Sequence, residues 1–237
     1  MKYLNFTYPS PEANLACDEW LLDRCDRGEG PEVLRFWESS VPFVVLGYAK
    51  KVRDEVHRTN CRRLGIPVLR RPSGGGTVLQ GPGCLNYALI LRIGPGVSNI
   101  TETNRIVMGH IRTALEPLLG PALGIRGDTD LALGVKKFSG SAQRRKRHAL
   151  LFHGTFLLSM DLELISKTLK LPHRQPVYRQ NRPHGDFLQN VNLPPELIRQ
   201  SMRSQWKAQD VMAPVLPGLL DDLIREKYAN KNWNFKF

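Results

Sequence analysis

The 237-residue chain carries 34 basic and 22 acidic residues, a formal net charge of +12, and 41% hydrophobic residues, enough apolar material for one large domain spanning residues 1–237. No stretch approaches the roughly 20 apolar residues of a membrane span, and the N-terminal MKYLNFTYPSPEAN lacks the apolar block of a signal peptide. Cys17, Cys25, Cys61 and Cys84 show neither a CxxC pair nor the density of a disulfide scaffold, so reduced thiols, a cytoplasmic location and no membrane partner are expected.

In chain order, Ser10-Pro11-Glu12 reads as a helix start: an N-cap, a proline at the first helical position and an acid in the first turn. Ala13, Ala16, Cys17, Trp20, Leu21 and Cys25 follow at helical spacing, and Gly28 stops the run. Strands are predicted over 33–37 and 43–47, one charged helix over 52–64, and a further strand at 68–70. The glycine loop 72–76 separates that strand from another at 77–79, and 86–91 continues as β. Residues 101–119 carry Ile106, Val107, Ile111, Ala114, Leu115 and Leu118 on one face of an amphipathic helix. Strands at 135–138 and 150–158 flank a basic turn at 143–148, expected to be a solvated hairpin tip. From Asp161 onward the pattern is helical, interrupted at 172–195. Strands followed by helices predict an α+β domain, a mixed, mainly antiparallel β-sheet with packed helices.

The positive charge suits nucleotides, nucleic acid or an acidic protein partner. Its clusters, Arg62-Arg63, Arg70-Arg71 and Arg144 to Arg147, lack the interleaved aromatics of a single-strand binding platform, so nucleic acid is not the expected partner. The most informative segment is Arg70-Arg71-Pro72-Ser73-Gly74-Gly75-Gly76-Thr77-Val78. Three successive glycines expose backbone amides and allow close approach of a ligand, and the paired arginines supply charge for a phosphate.

Asn14-Leu15-Ala16-Cys17-Asp18-Glu19, RRPSGGGTV with Gly83-Cys84-Leu85-Asn86-Tyr87, and Lys137-Phe138-Ser139-Gly140-Ser141-Ala142 with His153-Gly154-Thr155 occur in this order. Together they resemble the signatures of the lipoate ligase, octanoyltransferase and biotin ligase superfamily, most closely lipoate-protein ligase. The resemblance implies a biotin/lipoate ligase-like catalytic domain that activates lipoate or octanoate with ATP and Mg²⁺ and transfers the acyl group to a lysine of an acceptor domain. The implied acceptors are lipoyl domains of 2-oxoacid dehydrogenase E2 subunits and glycine cleavage H protein.

In the same reading Lys137 is the catalytic lysine, contacting the acyl carboxylate and the α-phosphate. Arg71, Ser73, Gly74, Gly75, Gly76, Thr77, Val78, Leu79, Asn86 and His153 bind nucleotide and acyl-adenylate, and Asp130 is the metal ligand, with Asp128 a neighbouring candidate. Gln80 stands where many ligases have histidine. The ending, 228–237, resembles the segment after which two-domain ligases continue, so a catalytic domain without the C-terminal accessory domain is expected, either working with a separate accessory protein or performing mainly transfer from a preformed acyl-adenylate. The alternative is an octanoyltransferase drawing on acyl carrier protein through a cysteine thioester. Residues 124–133, where that cysteine is expected, contain none. Biotin ligase fits less well, because its arginine-rich loop reads more like GRGRxGR.

Overall fold

The structure, a computed structural model, describes residues 1–237. The strands are β1 (Lys2–Asn5), β2 (Val33–Trp37), β3 (Phe43–Leu46), β4 (Val68–Arg70), β5 (Val78–Gln80), β6 (Cys84–Arg92), β7 (Leu123–Arg126), β8 (Asp130–Leu133), β9 (Lys136–Arg145), β10 (Ala149–Leu157) and β11 (Asp210–Val211). Eight form one sheet in the order β11-β1-β2-β6-β10-β9-β8-β7, antiparallel except where β1 pairs with β2 and β11. A second sheet, β4-β3-β5, carries the glycine loop between its outer strands. The predicted α+β class with a mainly antiparallel sheet is what forms.

Helices α4 (Ile100–Leu119) and α5 (Pro195–Gln205) cover one face of the large sheet, burying Val107, Met108, Ile111, Leu115, Ile198 and Met202 against Phe36, Leu89 and Phe152. Helix α1 (Pro11–Asp26) covers part of the other face with Leu15, Leu21 and Leu22 against Trp37, Ile90 and Leu151. Ser10 caps α1 as expected, accepting the Ala13 amide at 3.2 Å. The predicted helix over 52–64 is instead α2 (Val52–Glu55) and α3 (Arg58–Arg63). Val56 is extended between them and bridges Leu169, and the His57 amide donates to Thr168 O. A tertiary pairing thus overrides local helical preference. The basic turn is only in part a solvated tip: Arg144 and Arg147 are exposed, but Arg145 donates to the Val97 and Ser98 carbonyls and to Thr103 Oγ1, and Lys146 pairs with Asp23 at 2.5 Å.

The NLACDE segment is an internal brace. Asn14 exchanges hydrogen bonds with the Tyr8 backbone, while the fully buried Arg35 guanidinium takes Asp18, Asn14 Oδ1 and the Asn14 carbonyl. Glu19 accepts from Lys227 and Tyr228 near the C-terminus. Replacing Asp18 with alanine leaves Arg35 buried without a carboxylate. A loss of about 3–5 kcal/mol is expected in urea denaturation, since an uncompensated buried charge keeps its desolvation cost. A loss below about 1 kcal/mol would show that Asn14 and the carbonyls suffice.

Candidate active site

Register across the large sheet places one row of residues side by side: Trp37, Asn86, Thr155, Gly140 and Asp130, on β2, β6, β10, β9 and β8. Residues opposed across strands share a face, so this row projects beyond α1. All five line a cavity of about 870 Å³ bounded also by the glycine loop and by residues 172–180. Leu15, Val45 and Val78 contribute apolar wall.

At the floor, Lys137 Nζ lies 2.7 Å from Asp130 Oδ1, and Tyr178 donates to Asp130 Oδ2 at 2.8 Å. A bulge between Leu131 and Ala132 shifts the pairing from Leu131↔Ser139 to Ala132↔Lys137, turning the lysine toward the row. Gly140 makes the space: a Cβ there would sit 2.6 Å from Lys137 Nζ and 3.2 Å from Asp130 Oδ1. The ammonium therefore keeps N–H groups for a ligand besides the one on Asp130.

The glycine loop is built by Arg71. Its Nε donates to Ser73 Oγ, its NH2 to the carbonyls of Gly74 and Gly76, and its NH1 to Val45 O. Gly47 carries no Cβ where one would meet Gly75 O at 2.3 Å, which lets β3 and the loop touch. The amides of Gly74, Gly75, Gly76 and Thr77 donate to no carbonyl in the chain. Four buried side-chain oxygens or amide oxygens on the cavity wall also lack partners: Thr77 Oγ1, Gln80 Oε1, Asn86 Oδ1 and Gln175 Oε1. Buried polar groups normally find partners, so these fit a polar ligand such as a nucleotide.

His153 Nε2 lies 2.6 Å from Ser73 Oγ, and burial together with the Arg71 charge lowers the imidazole pKa to about 3. His153 is thus neutral at pH 7, a hydrogen-bonding group and not a cation. In acid the unfolded chain protonates this histidine below about pH 6.5 while the folded chain resists until about 3, so stability falls as pH drops through that window. His153→Gln should reduce the stability difference between pH 7.5 and 4.5 by about 1–2 kcal/mol in urea melts. An unchanged difference would mean that other groups carry the acid sensitivity.

The cavity brings together Lys137, Asp130, Arg71, Gly75, Gly76, Thr77, Val78, Asn86 and His153. It does not bring Ser73, Gly74 or Leu79 to its wall. Ser73 is buried behind it between Arg71 and His153, Gly74 supplies a carbonyl to Arg71, and Leu79 alternates away from Val78 and Gln80 into the apolar core of the small sheet. Arg70 also faces away: it donates to five carbonyls, those of Gly47, Tyr48, Lys50, Trp233 and Asn234. Period-2 alternation makes Arg70 an anchor for the C-terminal segment and leaves Arg71 alone on the loop side. Tyr178 and Arg179 were not legible from sequence, because they lie in the irregular stretch 172–195, where no periodicity marks a facing side.

For Mg²⁺, Asp130 has both oxygens engaged, and no group of three His, Cys, Asp or Glu side chains gathers that could hold a metal. Besides Asp130, the exposed Asp128 two residues before it lines the cavity, and one or two carboxylates suit a Mg²⁺ held mainly by phosphate oxygens and water. No cysteine lines the cavity; all four are buried, and burial pushes the Cys84 thiol up to about 12.

An ammonium, free loop amides and an apolar wall around one cavity suit a ligand that is anionic at one end and apolar at the other. The chain belongs to the lipoyl protein ligase A/B catalytic domain family, whose model matches residues 10–209. It is 30% identical to the octanoyltransferase LipM of Symbiobacterium thermophilum, over 96% of this chain and 95% of that one. It is 32% identical to a putative lipoate-protein ligase A of Aeropyrum pernix, over 74% of this chain and 64% of that one. Among solved structures, a bi-partite lipoate protein ligase from Thermoplasma acidophilum shares its fold with a TM-score of 0.82 at 23% identity, covering 99% of this chain and 95% of that one.

Proposed function

We propose that the chain is a lipoate-protein ligase-type acyltransferase working through an acyl-adenylate. The carboxylate oxygen of lipoate or octanoate attacks the α-phosphorus of ATP, forming the acyl–phosphate bond and expelling pyrophosphate. The ε-amine of an acceptor lysine then attacks the acyl carbon, forming the amide and releasing AMP and a proton. Lys137 stabilises the charge that develops on the transferring phosphoryl group, the loop amides and Arg71 hold the nucleotide, and the apolar wall receives the acyl chain. Mg²⁺, when bound, neutralises phosphate charge beside Asp130. Acceptors of this chemistry are lipoyl domains of E2 subunits and the glycine cleavage H protein.

The observation that carries this reading is a cavity with a fixed ammonium and no thiol. The competing reading, acyl transfer from acyl carrier protein, is favoured by similarity to octanoyltransferases over nearly their whole length. It requires a cysteine thiolate facing the lysine. One experiment separates them: the protein is incubated with an apo-lipoyl domain and either synthetic lipoyl-adenylate or octanoyl acyl carrier protein, and all species are weighed. Acceptor modification from the adenylate with no acyl mass on the enzyme supports the ligase reading. Acyl mass on a cysteine, with the adenylate left unused, overturns it. Because the relative from T. acidophilum is bi-partite, we extend to this chain the expectation that a second protein assists adenylation, which is why preformed adenylate is the substrate chosen.

A further inference from the structure

Four arginines are buried, and they are not alike: Arg35, Arg70, Arg71 and Arg179. Arg35 has a carboxylate and three further hydrogen bonds, Arg70 five carbonyls, and Arg71 four acceptors. Arg179 has two: its Nε donates to Arg182 O at 3.1 Å and its NH2 to His184 Nδ1 at 3.3 Å. No carboxylate pairs with it, although it is only 5% exposed, and it lines the cavity. A guanidinium carries five N–H groups, so three remain. Burying a cation without a counter-ion is costly, and the face of Phe187, 4.5 Å away, offsets only part of that.

The position of Arg179 is built. Gln180 and Asn181 both take left-handed backbone conformations, at φ of 52° and 56°, which turn the chain sharply after Arg179. Arg182 clasps that turn by donating to Tyr178 O, Arg179 O and Val135 O. Since arginine is a donor only, His184 accepts at Nδ1 and so presents its Nε2–H to Lys170 O at 3.3 Å. Burial and the Arg179 charge lower the His184 pKa, which keeps that acceptor available. Around the cavity wall six cations (Arg71, Arg126, Lys137, Lys170, Arg174 and Arg179) face four carboxylates. Two of the four are already taken, Asp18 by Arg35 and Glu55 by Lys50. The cavity therefore has a surplus of positive charge on the side of residues 170–179, where Val177 stands in solvent beside Tyr178.

We infer that Arg179 holds the pyrophosphate portion of a nucleoside triphosphate, the part that leaves, while Lys137 and the glycine loop hold the part that stays. Arg179 lies on the cavity wall formed by residues 172–180, a segment separate from the glycine loop, and its planar fork suits two phosphate oxygens. The inference rests on the ligase reading for its chemistry.

The test uses the whole chain, as wild type, Arg179→Gln and Arg179→Lys. Calorimetric titration with inorganic pyrophosphate should show affinity at least tenfold weaker in R179Q, partly recovered in R179K. Acyl-adenylate formation from ATP should fall about 100-fold in R179Q, while transfer from synthetic lipoyl-adenylate falls less than about threefold. A structural role would lower both half-reactions together, and equal loss, or no loss of pyrophosphate affinity, overturns the inference. Should R179Q not fold, the comparison is made with R179K, whose ammonium keeps the charge and loses the fork. If the wild type neither forms nor uses acyl-adenylate, the ligase reading fails. Pyrophosphate binding that depends on Arg179 would still uphold the anion site, and its absence would overturn that too.

Discussion

Lys137→Ala is expected to lower acyl-adenylate formation by 10²–10³, the cost of removing one preorganised charge from a developing phosphoryl oxyanion. The geometry makes this separable from folding. Lys137 and Asp130 are both partly exposed, so their pair contributes at most about 1 kcal/mol to stability, and Asp130 keeps the Tyr178 hydroxyl after the change. The main chain of Lys137 remains held by the Gln189 amide, which donates to Lys137 O at 3.0 Å. Thermal melting should therefore move little while pyrophosphate exchange collapses. Exchange within threefold of wild type would remove Lys137 from the chemistry. A melting temperature lowered by many degrees would show that the ion pair is structural.

Gly75→Val should weaken binding of acyl-adenylate by about 10- to 100-fold, or about 1.4–2.8 kcal/mol. Gly75 has φ of +85°, where a β-branched residue is strained, and an added Cβ would lie 2.9 Å from Arg71 NH2. That nitrogen donates to the carbonyls of Gly74 and Gly76, so displacing it loosens the arrangement that presents the loop amides. Stability should fall by a smaller amount, about 1–2 kcal/mol, from the backbone term. Gly74→Ala is the control: nothing lies within 4 Å of its added Cβ and its φ is not positive, so affinity and melting should both stay near wild type. Equal adenylate affinity in Gly75→Val by calorimetry would reduce the loop to a turn.

The site was legible where chemistry depends on consecutive residues. Three glycines before Thr77, and a lysine followed by Phe138-Ser139-Gly140, state in sequence that backbone must be approached and that a charge sits beside a gap. The gap itself, a missing Cβ 2.6 Å from the ammonium, is local to one strand. Arg70 and Arg71 show the limit. Adjacent in sequence and identical in type, they point to opposite sides of β4, and one anchors the C-terminal segment while the other shapes the loop.

The amino-acid sequence by itself determined the α+β class, the order of most strands, the capped first helix and the family. Each follows from short-range periodicity, caps or contiguous motifs. Only the tertiary structure decided which residues meet. Strand register set Trp37, Asn86, Thr155, Gly140 and Asp130 in one row although more than 90 residues of sequence separate the first from the last. The bulge at Phe138 of β9 aimed Lys137, and the turn at Gln180 and Asn181 carried Tyr178 to Asp130 and Arg179 to the cavity. Register and turn geometry are fixed by packing between distant segments, and that information is not stored in any one window of the chain.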